Sequence, residues 1–144
     1  NVCTVELPRK IGSCTGVTGK NSVREAAGMT KKSKQARARE FNTTSRQSIK
    51  ERDQNQCIFC QMEYRMEEVE WTGQGTLSIM HYIPRSHGGL GIPQNGALGC
   101  ISHHMMLDNG NKGYREEMLQ MFKCYLQDHY PDWSEDALVY SKWR

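Results

Sequence analysis

Long apolar runs are missing from this sequence. No stretch approaches the ~18–20 consecutive apolar residues of a membrane helix, which excludes a membrane-spanning helix. A cationic segment leading into an apolar one is also absent, so no secretory signal is expected. Aromatic residues make up 8% and hydrophobic residues 37% of the 144 positions, enough for one small core and not for two. Mean hydropathy is −0.75. There are no internal repeats, and no low-complexity tract apart from one basic run.

What is present is unevenly distributed. The net charge of +3 divides into +8 over residues 1–52 and −5 over residues 53–144. A basic arm ahead of a mildly acidic body points either to a polyanionic partner or to a solvated tail. The arm is assigned to residues 1–42 and expected to be poorly ordered, with Met29 as a candidate natural start. Lys31, Lys32, Lys34, Arg37 and Arg39 form its basic run. The body is assigned to residues 43–144.

Six cysteines admit disulfides, but their spacing favours a metal. Cys57-Ile-Phe-Cys60 is a tight pair, and Cys100 and His103 repeat the same interval about 40 residues on. Each pair turns the chain so that two ligands face one tetrahedral site, and four protein ligands leave no position for water. Such a structural zinc ion supplies folding free energy that a small core lacks. Cys3, Cys14 and Cys124 fit no pair, and Cys124 reads as a small hydrophobe on a helix.

The secondary structure is read from pattern. Thr43-Thr44-Ser45 offers N-caps for a short helix through SRQSIKERDQN. Two antiparallel strands are expected at about 67–72 and 76–83. RSHGGLGIPQNG is a Gly-rich loop, and ALGCISHHMML is expected to be helical up to a cap near Gly110. Met118, Met121, Phe122 and Tyr125 recur with helical spacing in a long helix from Tyr114 to His129, which ends before Pro131. A last short helix begins at Ser134.

A second constellation interleaves with the zinc ligands. His81 ends a strand, Asn95 lies in the following loop, and His104 lies in the next helix. That is the layout of a ββα-metal site. A strand-end imidazole can take a proton from water beside a phosphodiester, and an asparagine carbonyl can fix its tautomer. A helix-borne imidazole can hold a divalent ion that stabilises charge on the phosphate.

The run RDQNQCIFC, IMHYIPRSHGG, QNGALGC and ISHH resembles the HNH endonucleases of the His-Me finger group over residues 44–110. The resemblance implies a small α+β fold, with a ββα-metal unit, a zinc knuckle and flanking helices. It implies His81 as general base, Asn95 as the residue that orients it, and His104 as a catalytic metal ligand. Cys57, Cys60 and Cys100 fall on structural zinc ligands, with His103 in place of a fourth cysteine. The implied cofactors are structural Zn²⁺ and a catalytic divalent ion (Mg²⁺, Mn²⁺ or Ni²⁺). The implied partner is DNA, held by the basic run and Arg85, in the cytoplasm of a bacterial or phage-infected cell. One departure stands out. The family has an aspartate before the base as a second metal ligand, and here that residue is Met80, whose thioether suits a hard ion poorly. Asp108, four residues after His104, is the candidate substitute, with a helix C-cap as its alternative role. The departure keeps a second function open: a catalytically weak or inactive zinc-knuckle module that binds nucleic acid.

Overall fold

The computed structural model describes residues 31–70, 75–109 and 112–143, so the expectations for residues 1–30 and for Trp71 fall outside the described residues. Among the described residues the fold is small α+β, with one antiparallel pair of strands and five α-helices. In chain order these are α1 (Lys34–Ala38), α2 (Thr43–Arg52), α3 (Ile58–Gln61), β1 (Leu77–His81), β2 (Gly96–Cys100), α4 (Ile101–Asp108) and α5 (Arg115–His129). No helix among them is long and apolar enough to cross a membrane.

The N-cap of α2 lies one residue before the first of the expected caps. Asn42 has an extended backbone, and its side-chain oxygen accepts the Ser45 N–H at 2.7 Å. That satisfies one of the amides a helix start leaves unpaired.

The sheet differs from expectation in its second strand. β1 lies inside the expected 76–83, but its partner is β2, in register from Leu77 opposite Cys100 to His81 opposite Gly96. The segment expected as an earlier strand holds a 3₁₀ turn at Met66–Glu68, and residues 71–74 are outside the described set. Gly96–Cys100, expected as the end of the Gly-rich loop and the start of a helix, is fully buried strand. Its small residues admit close neighbours: a Cβ on Gly99 would collide with the Met80 side chain. Tertiary packing here overrides local preference. The helix begins only at Ile101.

Strand alternation divides the core into two layers. Leu77 and Ile79 of β1 face Leu98, Phe41 and Ile49, the last from α2. Met80 and Ala97 face the larger cluster, which includes Ile58 and Phe59 of α3, Met106 and Leu107 of α4, and Met118, Phe122 and Leu126 of α5. The long helix therefore carries its buried residues at i, i+4 and i+8, close to the expected stripe; Met121 and Tyr125 are half-buried on its flank.

The last part of the basic arm belongs to the packed body. Phe41 is buried, and the Ala38 carbonyl accepts the Gly91 N–H at 2.9 Å. A Cβ on Gly91 would overlap the Glu40 backbone, so only glycine allows this approach. The α1–α2 junction is thereby clamped to the loop between the two strands.

A buried ion pair ties the layers together. Arg52 and Asp53 meet at 2.6 Å, with Asp53 fully buried. Asp53 also accepts the Leu98 N–H and the Tyr125 hydroxyl, each at 2.7 Å, while Arg52 donates to the carbonyls of Pro93 and Gly96. Removing one partner of such a pair strands a buried charge, so Asp53→Ala should cost about 3–5 kcal/mol. Urea unfolding of the metal-loaded protein measures it. A loss below about 1 kcal/mol, the scale of an ordinary substitution, would show that the network does not bind α2, β2 and α5 together.

Candidate metal centre

The two Cys-x-x-ligand pairs are built alike. Cys57 is the N-cap of α3 and Cys100 the N-cap of α4, both with extended backbones and neither side chain spent on capping. Cys60 and His103 follow three residues later, in the first turn of each helix. An N-cap residue and the third helical residue lie over the same helix end. Two helix starts are thus aimed at one point.

The ligand atoms converge there. His103 Nδ1 lies 3.5 Å from Cys57 Sγ, 3.5 Å from Cys60 Sγ and 3.2 Å from Cys100 Sγ. Cys60 and Cys100 Sγ are 3.8 Å apart, and all four atoms lie within 4.8 Å of one another. A tetrahedron with ~2.3 Å to sulfur and ~2.0–2.1 Å to nitrogen has edges of about 3.5–3.8 Å. The donor set and its spacing therefore fit a structural metal such as zinc. The outer face of His103 agrees: its Nε2–H donates to the Tyr64 carbonyl at 2.7 Å, which leaves the Nδ1 lone pair for the site.

Protonation in the cluster is uneven. Hydrogen bonding from Cys60, then from His103, holds the Cys57 thiol well below its ordinary value. The hydrogen bond to Cys57, burial and the neighbouring sulfur charges push Cys60 up, and burial above all pushes Cys100 up. A cation held by the four ligands would favour the thiolate form of all three cysteines.

The other expected site residues fall in four groups: His81, Asn95, His104 with Asp108, and the cationic residues. His81, half-buried at the end of β1, stacks on Phe41 at 4.4 Å between centroids. Its Nε2–H faces the Arg39 carbonyl at 3.3 Å. Burial, with the positive charge of Arg85, lowers its pKa below the ordinary 6.5, so the ring is neutral at pH 7. His104 and Asp108 are also close enough to influence it, in opposite directions.

Asn95 is fully buried, but its side chain does not meet the His81 ring as expected. Its Oδ1 accepts the Ile83 N–H at 2.8 Å, and its Nδ2 donates to the carbonyls of Ile83 and Leu90. With its backbone oxygen accepting the Tyr82 N–H at 2.9 Å, Asn95 fixes the chain that leaves β1 right after His81. The acceptor at the His81 ring is the Arg39 carbonyl, from the segment expected to be a loose arm.

On α4, His104 Nε2 lies 3.1 Å from Asp108 Oδ2, the i,i+4 pairing anticipated for these two residues. Its Nδ1 meets Ser78 Oγ at 2.5 Å. Met80 is fully buried and contributes no donor to this site.

The cationic residues are only partly free. Lys32 and Arg85 both bind Glu40, at 2.8 and 3.3 Å, and the hydrogen bond from Lys32 holds the Glu40 carboxyl below its usual range. Arg39 is half-buried, with Nε lacking a hydrogen-bond partner among the described residues. Lys31, Lys34 and Arg37 are exposed. A further cleft of about 370 Å³ beside β1 is lined by Arg46 and Lys50 of α2 together with Asn55 and Ser78. Sequence reading passed over Ser78, Glu40 and this cleft. Only Ser78 left a usable signal, since strand alternation sets it on the same face as Met80.

Compared with known proteins, the chain matches no family model, no curated protein and no solved structure.

Native mass spectrometry should find one zinc ion per chain. Its removal by a chelator should abolish the cooperative thermal transition and lower helical circular dichroism. Affinity should fall as pH falls, because bound cysteines must shed protons and acid returns them. A metal-free protein melting like the loaded one would contradict the structural role.

Proposed function

We propose that the chain is a metal-dependent DNA endonuclease of the HNH type, with His81 as its general base. The supporting observation is the continuous run β1, loop, β2 and α4. It carries His81 at the end of the first strand, Asn95 in the connection, and His104 with Asp108 on the helix, which is tethered at its start by Cys100 and His103. That order supports the ββα-metal reading, since it is the order in which the sequence motifs occur.

On this reading His81 gives its Nε2–H to the Arg39 carbonyl and keeps the Nδ1 lone pair. Nδ1 takes a proton from water as the water oxygen attacks phosphorus. The bond from phosphorus to the 3′ oxygen breaks, leaving 3′-hydroxyl and 5′-phosphate ends. His104 and Asp108 supply a nitrogen and an oxygen 3.1 Å apart, a donor pair that suits a shared divalent ion. Such an ion, when bound, stabilises negative charge on the phosphate. Arg39, Arg46, Lys50 and Arg85 provide cations for the DNA backbone, so binding should weaken steeply with salt.

Met80 favours a second reading. A fully buried methionine stands where the resemblance calls for a carboxylate ligand, which fits a weak or inactive nuclease that binds nucleic acid through the same surface.

Plasmid nicking separates the two. Cleavage is expected with Mg²⁺, Mn²⁺ or Ni²⁺ and not without a divalent ion. His81→Ala should lower the rate by about 10²–10⁴-fold, the contribution of a general base, while retaining zinc. With the His81 pKa below 6.5, the rate should be full at neutral pH and fall as acid protonates the ring, with a midpoint under 6.5. DNA binding without cleavage in any of the three metals would establish the second reading instead.

A further inference from the structure

We propose that Ser78 is a positioning residue for a divalent-ion site at His104 and Asp108, holding the His104 ring in place. The inference rests on the nuclease reading for its purpose, but its geometry stands apart from the cleavage step. It follows from the two ends of one imidazole.

His104 is held from both sides. Its Nε2 faces Asp108 Oδ2 at 3.1 Å and its Nδ1 faces Ser78 Oγ at 2.5 Å. An ion shared by His104 and Asp108 must use the Nε2 lone pair, because that is the nitrogen beside the carboxylate. The ring proton must then sit on Nδ1, and among the described residues the acceptor facing Nδ1 is the Ser78 hydroxyl oxygen. Without the ion, the opposite arrangement satisfies every group: Nε2–H donates to Asp108 and Ser78 O–H donates to Nδ1. A hydroxyl is the side-chain group that fits both states, since it donates and accepts equally well. Ser78 therefore turns from donor to acceptor as the ion enters, and the ring need not rotate.

Placement supports this. Ser78 and Met80 lie on the same face of β1 by strand alternation, and the Met80 side chain is fully buried against Gly99. A carboxylate at position 80 would have to leave the core to reach an ion. Ser78, half-buried and two residues earlier, already touches the helix that carries both donors. A hydrogen-bond partner of this kind typically changes metal affinity by about 10–100-fold.

Isothermal titration of zinc-loaded full-length protein with Mn²⁺ tests the proposal, with zinc content followed to confirm that the Cys57–His103 centre is intact. Wild type should bind one Mn²⁺, and His104→Ala or Asp108→Ala should remove that event. Ser78→Ala should weaken it about 10–100-fold, while Ser78→Thr, which keeps the hydroxyl, should stay within a few-fold of wild type. Histidine-selective ¹⁵N spectra of wild type provide a second measurement that needs no variant. Saturating Mg²⁺ should move the His104 proton from Nε2 to Nδ1. Failure of wild type to bind Mn²⁺, unchanged affinity in Ser78→Ala, or a His104 ring that stays protonated on Nε2 would each overturn the proposal. Ser78-dependent Mn²⁺ binding in a protein that never cleaves DNA would sink the nuclease reading and leave this one standing. Cleavage by a Ser78→Ala variant with undiminished Mn²⁺ affinity would do the reverse.

Discussion

Three sulfurs and one imidazole nitrogen share a point at which two helices begin, and the rest of the molecule is arranged around that meeting. A two-stranded sheet is marginal alone, and α3 is a single turn. Neither has enough apolar surface to hold its place unaided. The cluster joins them. Cys57 and Cys60 fix α3, while Cys100 and His103 fix the corner where β2 becomes α4. Thiol protonation sets the condition, because three clustered sulfurs, two of them buried, repel one another as thiolates. A metal bound by this cluster would make its binding and the ordering of the corner one equilibrium.

The metal centre was legible in the sequence because its geometry is local. A Cys-x-x-ligand spacing becomes an N-cap and a first-turn residue wherever a helix starts, so two such spacings describe two similar corners. The long helix was legible for the same reason: Met118, Phe122 and Leu126 lie on one face at helical period. β2 was not legible. Gly96, Ala97 and Gly99 carry no strand preference, and what makes them a strand is the Met80 side chain lying against Gly99 and the Asp53 carboxylate accepting the Leu98 amide. Both partners are distant in sequence. The packing of the arm was hidden likewise, since Phe41 is one apolar residue after a basic run, and Gly91 and Gly96 are the counterparts that admit its backbone and its ring.

The site residues divide in the same way. His81, His104 and Asp108 were singled out because motif order and an i,i+4 interval point to them. Their immediate partners were missed because they are backbone carbonyls or a small hydroxyl. Arg39 meets His81 through its carbonyl oxygen, and Tyr64 meets His103 the same way. Any residue type presents that group, so its side chain leaves no trace. Asn95 shows the opposite effect. The sequence marks it as special, and it is, but through the loop backbone it holds and not through the imidazole it was expected to touch.

The electrostatics of the α1–α2 junction tie these pieces together. Glu40 gathers Lys32 and Arg85, and the residue before it is Arg39, whose carbonyl receives the His81 ring. On the nuclease reading, a phosphate backbone competes with Glu40 for those two cations. The competition is local, since Gly91 pins Ala38 and Phe41 anchors the turn into α2, so the junction keeps its place while its charges change partners. The described part of the arm is thus packed into the body, which its composition, read as a solvated tail, does not suggest.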